Sequence, residues 1–244
     1  MKNWRKIYQK FNYEFLTQLL NNCKTKADAK TVLKSFNGGL SAPSKMPCAG
    51  YNLPAIECKT GSKLVKVKGS TCEGCYALKG RYHFSNVKNS MYQNFYLITK
   101  KYWKESMVLS IAMFNTGKNC DSKYFRWHDS GDLQNVQHFK DIIWIAEQLP
   151  KVKFWLPTRE YKIVKGIKVP SNLIVRFSAH MNNSIKEVRA KKHASIVVDS
   201  ETIAHELSNN VSVCHATRKE SSHKCENCRA CWDIKTPVIA YLKH

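Results

Sequence analysis

The chain has 244 residues, 43% of them hydrophobic, and carries 40 Lys and Arg against 18 Asp and Glu, a formal net charge of +22. That length and apolar content support a substantial core and exclude disorder over the whole chain. No apolar run approaches the roughly 18 to 20 residues that span a bilayer, and the opening MKNWRKIYQKFNYEF lacks a signal peptide's apolar stretch. A soluble, cytoplasmic protein with no membrane partner is expected. The positive surplus is large enough to draw in polyanions, which makes nucleic acid, DNA or RNA, the expected partner. The surplus does not stand apart as a basic tail, so any binding surface has to be assembled by the fold.

Residues 3–23 place Trp4, Ile7, Tyr8, Phe11, Phe15, Leu19 and Leu20 at helical spacing, and a second helical pattern runs through Ala27, Val32, Leu33 and Phe36 to Gly38-Gly39. Together they predict a helical cap over residues 1–40, ahead of a single α/β domain over 41–244. Residues 40–85 lose periodicity and hold Cys48, Cys58, Cys72 and Cys75 among prolines and glycines, as expected of a segment ordered by ligands. One long helical pattern follows from Ser85 to Asn115.

Four short apolar runs come next, at Tyr124 to His128, Val152 to Leu156, Leu173 to Phe177 and Ala194 to Val198. Each has the composition of a buried strand. The segments after them, Val136 to Gln148, Glu160 to Gly166, Ser184 to Lys192 and Glu201 to Ser208, can be helical. Strand-then-helix repeats predict a parallel sheet, open or wrapped as part of a barrel. His128-Asp129-Ser130-Gly131-Asp132, Thr158-Arg159-Glu160, Ser178-Ala179-His180 and Asp199-Ser200-Glu201 all follow strands directly, so all are expected at the carboxyl rim where such folds bind ligands. Taken singly, the small polar residues among them would also serve as caps and turn formers.

The ten cysteines fall into groups. Cys58, Cys72 and Cys75 form one; Cys214, Cys225, Cys228 and Cys231 form the other, the last three at successive steps of three that let thiolates converge on one centre. In a reducing compartment these are metal ligands rather than disulfides. The stepped spacing favours a 4Fe-4S cluster over zinc, which more often shows two separated Cys-x-x-Cys knuckles. The spacing leaves open whether the ligands form one centre or two. Cys23, Cys48 and Cys120 read as small buried residues. Three thiolates on a cubane would leave one iron open, with Ser130, Gly131 and Asp132 offering close approach and a carboxylate to hold a cationic amine or a second, divalent metal. His128, Asp129 and Asp132 also admit a hard-metal nuclease site, with Arg159 beside it.

The run Cys72-Glu-Gly-Cys-Tyr-Ala-Leu-Lys-Gly-Arg-Tyr82, with Arg126-Trp-His-Asp-Ser-Gly-Asp132, Phe154-Trp-Leu-Pro-Thr-Arg159 and Cys225-Glu-Asn-Cys-Arg-Ala-Cys-Trp232, resembles the bacteriophage gene product 88 family over roughly residues 38–244. That resemblance implies a viral protein of the host cytoplasm and supplies no reaction. A more distant similarity is to radical S-adenosylmethionine enzymes, which implies a partial or distorted (β/α) barrel, a three-cysteine 4Fe-4S cluster and S-adenosylmethionine, with Ser130-Gly131-Asp132 where those enzymes carry Gly-Gly-Glu. Their Cys-x-x-x-Cys-x-x-Cys spacing is not present here. The expectation is therefore an iron-sulfur protein that acts on nucleic acid by redox or radical-type chemistry. The alternatives are a metal-dependent nuclease and a non-catalytic, zinc-stapled nucleic-acid-binding module.

Overall fold

The structure is a computed structural model that describes residues 4–116 and 120–243. Its centre is a seven-stranded, wholly parallel sheet in the order β1-β2-β3-β4-β5-β7-β6. The strands are β1 (Gly50–Tyr51), β2 (Tyr124–Trp127), β3 (Lys153–Thr158), β4 (Leu173–Ser178), β5 (Ala194–Val198), β6 (Val211–Val213) and β7 (Val238–Leu242). Among the described residues the α-helices are α1 (Arg5–Tyr8), α2 (Glu14–Asn21), α3 (Lys26–Asn37), α4 (Gly61–Leu64), α5 (Ser85–Leu97), α6 (Trp103–Phe114), α7 (Val136–Gln148), α8 (Tyr161–Val164) and α9 (Glu201–Leu207).

The two sheet faces differ in what covers them. Phe125, Trp127, Phe154, Leu156, Leu173 and Val175 point to α6 and α7, and meet Trp103, Met107, Ile111, Phe139 and Ile142 in the main core. Further along, Ala194, Ile196, Val198, Val238 and Ala240 pack with Ala204 of α9. Alternation sends Tyr124, Arg126, Trp155, Arg176 and Tyr241 to the opposite face, where residues 214–236 lie against them. Topology explains the division. From β1 to β6 each connection advances across the sheet, so right-handed crossovers fall on one face; the step from β6 back to β7 reverses direction, and a right-handed connection must then cross the other face. That reversed connection carries the C-terminal cysteines.

Two predicted helices are each broken in two. The first begins, in the sequence reading, at Asn3, outside the described residues, and is interrupted between α1 and α2. A continuous helix would set residues 11 and 13 about 200° apart, whereas the break lets Phe11 and Tyr13 stack at 5.6 Å and brings Tyr13 to Trp144 at 5.9 Å. The Ser85 to Asn115 pattern divides at Tyr102, whose φ of 66° is left-handed. There its ring stacks on Phe15 at 4.5 Å, and Trp103 enters the core to donate to the Tyr51 hydroxyl at 3.0 Å. In contrast, α3 forms as expected, with a Thr25–Asp28 capping box at one end and Gly38 at φ 78° closing the other. The N-terminal helices bury Tyr8, Leu16, Leu20 and Leu33 against Leu109 and Met113 of α6. Ser184 to Lys192 holds only a single 3-10 turn at Lys186–Val188.

Candidate functional site

All four predicted rim loops do follow the carboxyl ends of adjacent strands, β2 to β5. The irregular segment after β1 is strapped across the first three of those ends. After β2, Ser130 and Leu53 pair through Leu53 N–H to Ser130 carbonyl and Ser130 Oγ to Leu53 carbonyl, both 2.9 Å. Gly131, at φ +82°, makes this possible: a Cβ there would stand 2.5 Å from Leu53 Cβ and 2.8 Å from its carbonyl oxygen. After β3, the buried Glu160 carboxylate accepts from Thr60 N–H at 2.7 Å and Thr60 Oγ1 at 2.9 Å. Arg159 Nε donates to Thr71 Oγ1 at 3.0 Å, and Thr71 N–H donates to the His180 carbonyl after β4 at 2.8 Å.

These clasps bring Cys58 and Cys72 together, with Cys75 near enough to raise both electrostatically. The sulfurs of Cys58 and Cys72 lie 3.7 and 3.6 Å from the point where a Gly61 Cβ would be, and that Cβ would press to 3.0 Å from Cys58 Cβ. Gly61 thus leaves open the space between two thiols. Cys58 is raised above its usual range first by burial and then by Asp132 and the two neighbouring thiols, with Arg159 opposing; Cys72 is likewise raised by burial and lowered by Arg159. Beside Cys75, the Tyr76 hydroxyl donates to the Asp129 carbonyl, and Tyr82 donates to Asp129 Oδ2 at 2.9 Å.

The residues expected to do chemistry are therefore largely committed to holding the thiols. Asp132 is buried and accepts from Thr158 Oγ1 (2.6 Å), Leu133 N–H (2.7 Å) and Arg159 N–H (2.9 Å). Burial outweighs those bonds and pushes its carboxyl up to about 6. Asp129 pairs with Arg126 at 3.0 Å. His128, at a left-handed φ of 53°, is turned into the protein, its ring 5.4 Å from His138. Its two ring nitrogens find no hydrogen-bond partner among the described residues. His128, Asp129 and Asp132 thus face three different environments rather than one ion. His180 stacks on Tyr161 at 4.7 Å, and Asp199 accepts from Asn183 at 2.6 Å, so the β5 loop does not join the thiol site. Two shallow, open clefts lie near the amino-terminal ends of strands, one at Asn210–Ser212 and Lys235–Pro237, the other beside Tyr124, Lys153 and Trp232.

The second cysteine set gathers on the other face. Cys214, at the end of β6, is close enough to Cys228 for ionisation of one to oppose the other; Cys225 is so related to Cys214 and Cys228, and Cys231 to Cys214 and Cys225. Cys231, pushed up to about 12 by burial, lies 3.4 Å from the Tyr241 hydroxyl, which opposes the shift. Cys225 takes its N–H to the Lys45 carbonyl at 3.0 Å and sets its sulfur 3.8 Å from Met46 Sδ. Arg126 touches both neighbourhoods, pairing with Asp129 on the rim side and donating to Met46 Sδ at 3.5 Å on the other. All ten cysteines are free thiols. Among the described residues, no three His, Cys, Asp or Glu are grouped closely enough to hold a metal ion. Sequence reasoning missed Thr60, Thr71 and Tyr76, although each is a hydroxyl within two positions of a cysteine.

A parallel sheet with its carboxyl edge strapped by a three-thiol segment, and a four-thiol connection on its back, defines a cysteine-rich α/β protein. The family model described as Gene product 88 matches residues 15–234, and the chain belongs to that phage family. No curated protein and no solved structure matches it, and the likeness to radical S-adenosylmethionine enzymes gains no support from these comparisons.

Proposed function

We propose that this chain is an iron-sulfur protein that engages nucleic acid in the infected cell, with Cys58, Cys72 and Cys75 holding a 4Fe-4S cluster at the sheet's carboxyl rim. The observation that carries the reading is the convergence there of thiols separated in sequence, with Gly61 bare between two of them. Thiolates are the donor set such clusters take. Three protein thiolates leave one iron open, and the bound cluster supplies one-electron chemistry there. Arg159 eases ionisation of Cys58 and Cys72, while Glu160, Ser130 and Gly131 fix the backbone that carries them. A partial (β/α) barrel wall is the finer fold reading that accompanies this site. The C-terminal quartet serves as a second, structural centre fastening the β6–β7 connection. The nuclease alternative is weakened by the full commitment of Asp132 and Asp129 to protein partners.

Anaerobic purification followed by iron, sulfide and zinc analysis tests the reading. Coloured protein with iron and acid-labile sulfide is expected, and Cys72→Ser should lose the rim share while keeping that of the quartet. Colourless protein that retains zinc after treatment with iron and sulfide would sink it.

A further inference from the structure

The segment after the rim cysteines combines two features that the site itself does not use. From Tyr76 to Lys104 there is no Asp or Glu, while Lys79, Arg81, Lys88, Lys100, Lys101 and Lys104 are all basic. Helix α5 within it buries Met91, Asn94 and Leu97 on one side and leaves Tyr92 (41% exposed) and Tyr96 (63%) bare on the other, with Phe84, just ahead of the helix, 59% exposed. Lys88, Tyr92 and Tyr96 succeed one another at steps of four on this helix, each turned about 40° from the last, while Phe84 stands just before its start and Lys100 just past its end. The stripe reads Phe, Lys, Tyr, Tyr, Lys, and Lys100 Nζ stands 4.0 Å from the Tyr96 ring centre.

Exposed rings on a soluble protein mark a contact, and cations between them, with no acid near in sequence, select an anionic partner. Base-sized rings interleaved with lysines fit a polymer that alternates flat π-faces and phosphates. Positions four apart on α5 are separated by about 6 Å along its axis; bases in a duplex are stacked on one another at about 3.4 Å and present no free face. We infer that the α5 stripe of Phe84, Lys88, Tyr92, Tyr96 and Lys100 is a stacking platform for single-stranded nucleic acid, laid so that one end of the strand reaches the rim thiols. The chain leads from the stripe to the rim: Tyr76, next to Cys75 and 60% exposed, lies 5.8 Å from the Tyr82 ring, and Tyr82 is two residues before Phe84. This rests on the nucleic-acid part of the proposed function and assigns its surface and strandedness.

The test is fluorescence anisotropy of the full chain with a labelled oligothymidylate of about 12 nucleotides, inside the range of site sizes such surfaces take, and with a duplex of the same length. F84A/Y92A/Y96A should weaken strand binding at least about 100-fold, and F84L/Y92L/Y96L, which keeps the apolar area and loses the π-faces, should weaken it comparably. K88A/K100A should reduce the salt slope by about 1.4, near 0.7 for each phosphate freed. Strand affinity unchanged in both ring variants overturns the platform while leaving nucleic-acid binding intact. Recovery by leucine alone, or a self-association that the alanine variant abolishes with strand binding unchanged, makes the face a protein contact and overturns it as well. Wild-type protein that binds neither strand nor duplex overturns this inference together with the nucleic-acid reading beneath it.

Discussion

At the scale of single residues, the loop after β2 shows how a chemically suggestive motif can be spent on architecture. Ser130-Gly131-Asp132 has the residue types of a ligand-binding turn, and its position after a strand was legible. Its partners were not, because Ser130 Oγ bonds to Leu53, 77 residues away, and Asp132 to Thr158, 26 residues away. No local pattern encodes such pairings. Gly131 is the most sensitive point. An added methyl would meet the Leu53 backbone at 2.8 to 2.9 Å, in a left-handed conformation that L-residues already occupy at a cost. Gly131→Ala is expected to destabilise the protein by about 2 kcal/mol or more, read as a lower urea midpoint. On the proposed cluster reading it should also reduce iron retained at the rim, since the same contact positions the chain leading to Cys58. A midpoint equal to wild type would remove Gly131 from this role.

At the scale of elements, Arg176 holds the reversed β6–β7 connection to the sheet. It lies fully buried in β4 and donates to the carbonyls of Ala230 (2.8 Å), Thr236 (2.9 Å), Cys231 (3.0 Å) and Asp233 (3.1 Å). Burial pulls its pKa down, so the charge is retained at a cost that those carbonyl dipoles offset. Arg176→Met would leave the carbonyls without their donor and should cost about 3 to 5 kcal/mol, measured as a lower Tm with faster labelling of Cys231 by a thiol reagent. Unaltered labelling would show that the connection is held by other contacts, such as Trp232 Nε1 to the Phe125 carbonyl at 2.9 Å. Strands β2 to β5 were legible because each is a compact apolar run covered on both faces. β1 has two residues and β6 three, too short for a pattern, and β7 stands alone after the cysteines, outside the strand-then-helix repeat. The break at Tyr102 was hidden because its reasons, the packing of Tyr102 on Phe15 and Phe36 and the bond from Trp103 to Tyr51, all lie far off in sequence.

At the scale of the whole molecule, the cysteine spacing left one or two centres open, and the fold divides the thiols between the rim and the opposite face because one crossover reverses direction. The molecule also carries a buried charge imbalance with a consequence for pH. His128 and His138 are buried, and desolvation pulls His138 down to about 3 and His128 well below its ordinary value, with each other's proximity adding to the effect on His128. Both are neutral when folded, whereas in the unfolded chain they take up protons below about pH 6.5. Each therefore removes up to about 1.4 kcal/mol of stability per pH unit as pH falls below that point. Asp132 acts in the opposite sense: with its folded pKa raised to about 6, its contribution grows as pH falls through that value and is fully present only below the unfolded pKa of about 3.9. Two of these groups oppose one, so between about pH 6 and 4 the three together remove about 1.4 kcal/mol per unit, or about 3 kcal/mol across the interval. The comparison that isolates this is wild type against His138→Phe, which keeps an aromatic ring beside Trp103 and removes one titrating group. Urea midpoints of both proteins, at equal metal content and in steps from pH 7.5 to 4.5, should diverge below about pH 6.5, the wild type falling more steeply. Parallel curves would mean that His138 is charged in the folded protein, in which case a partner for its unpaired Nε2 has to exist within the core.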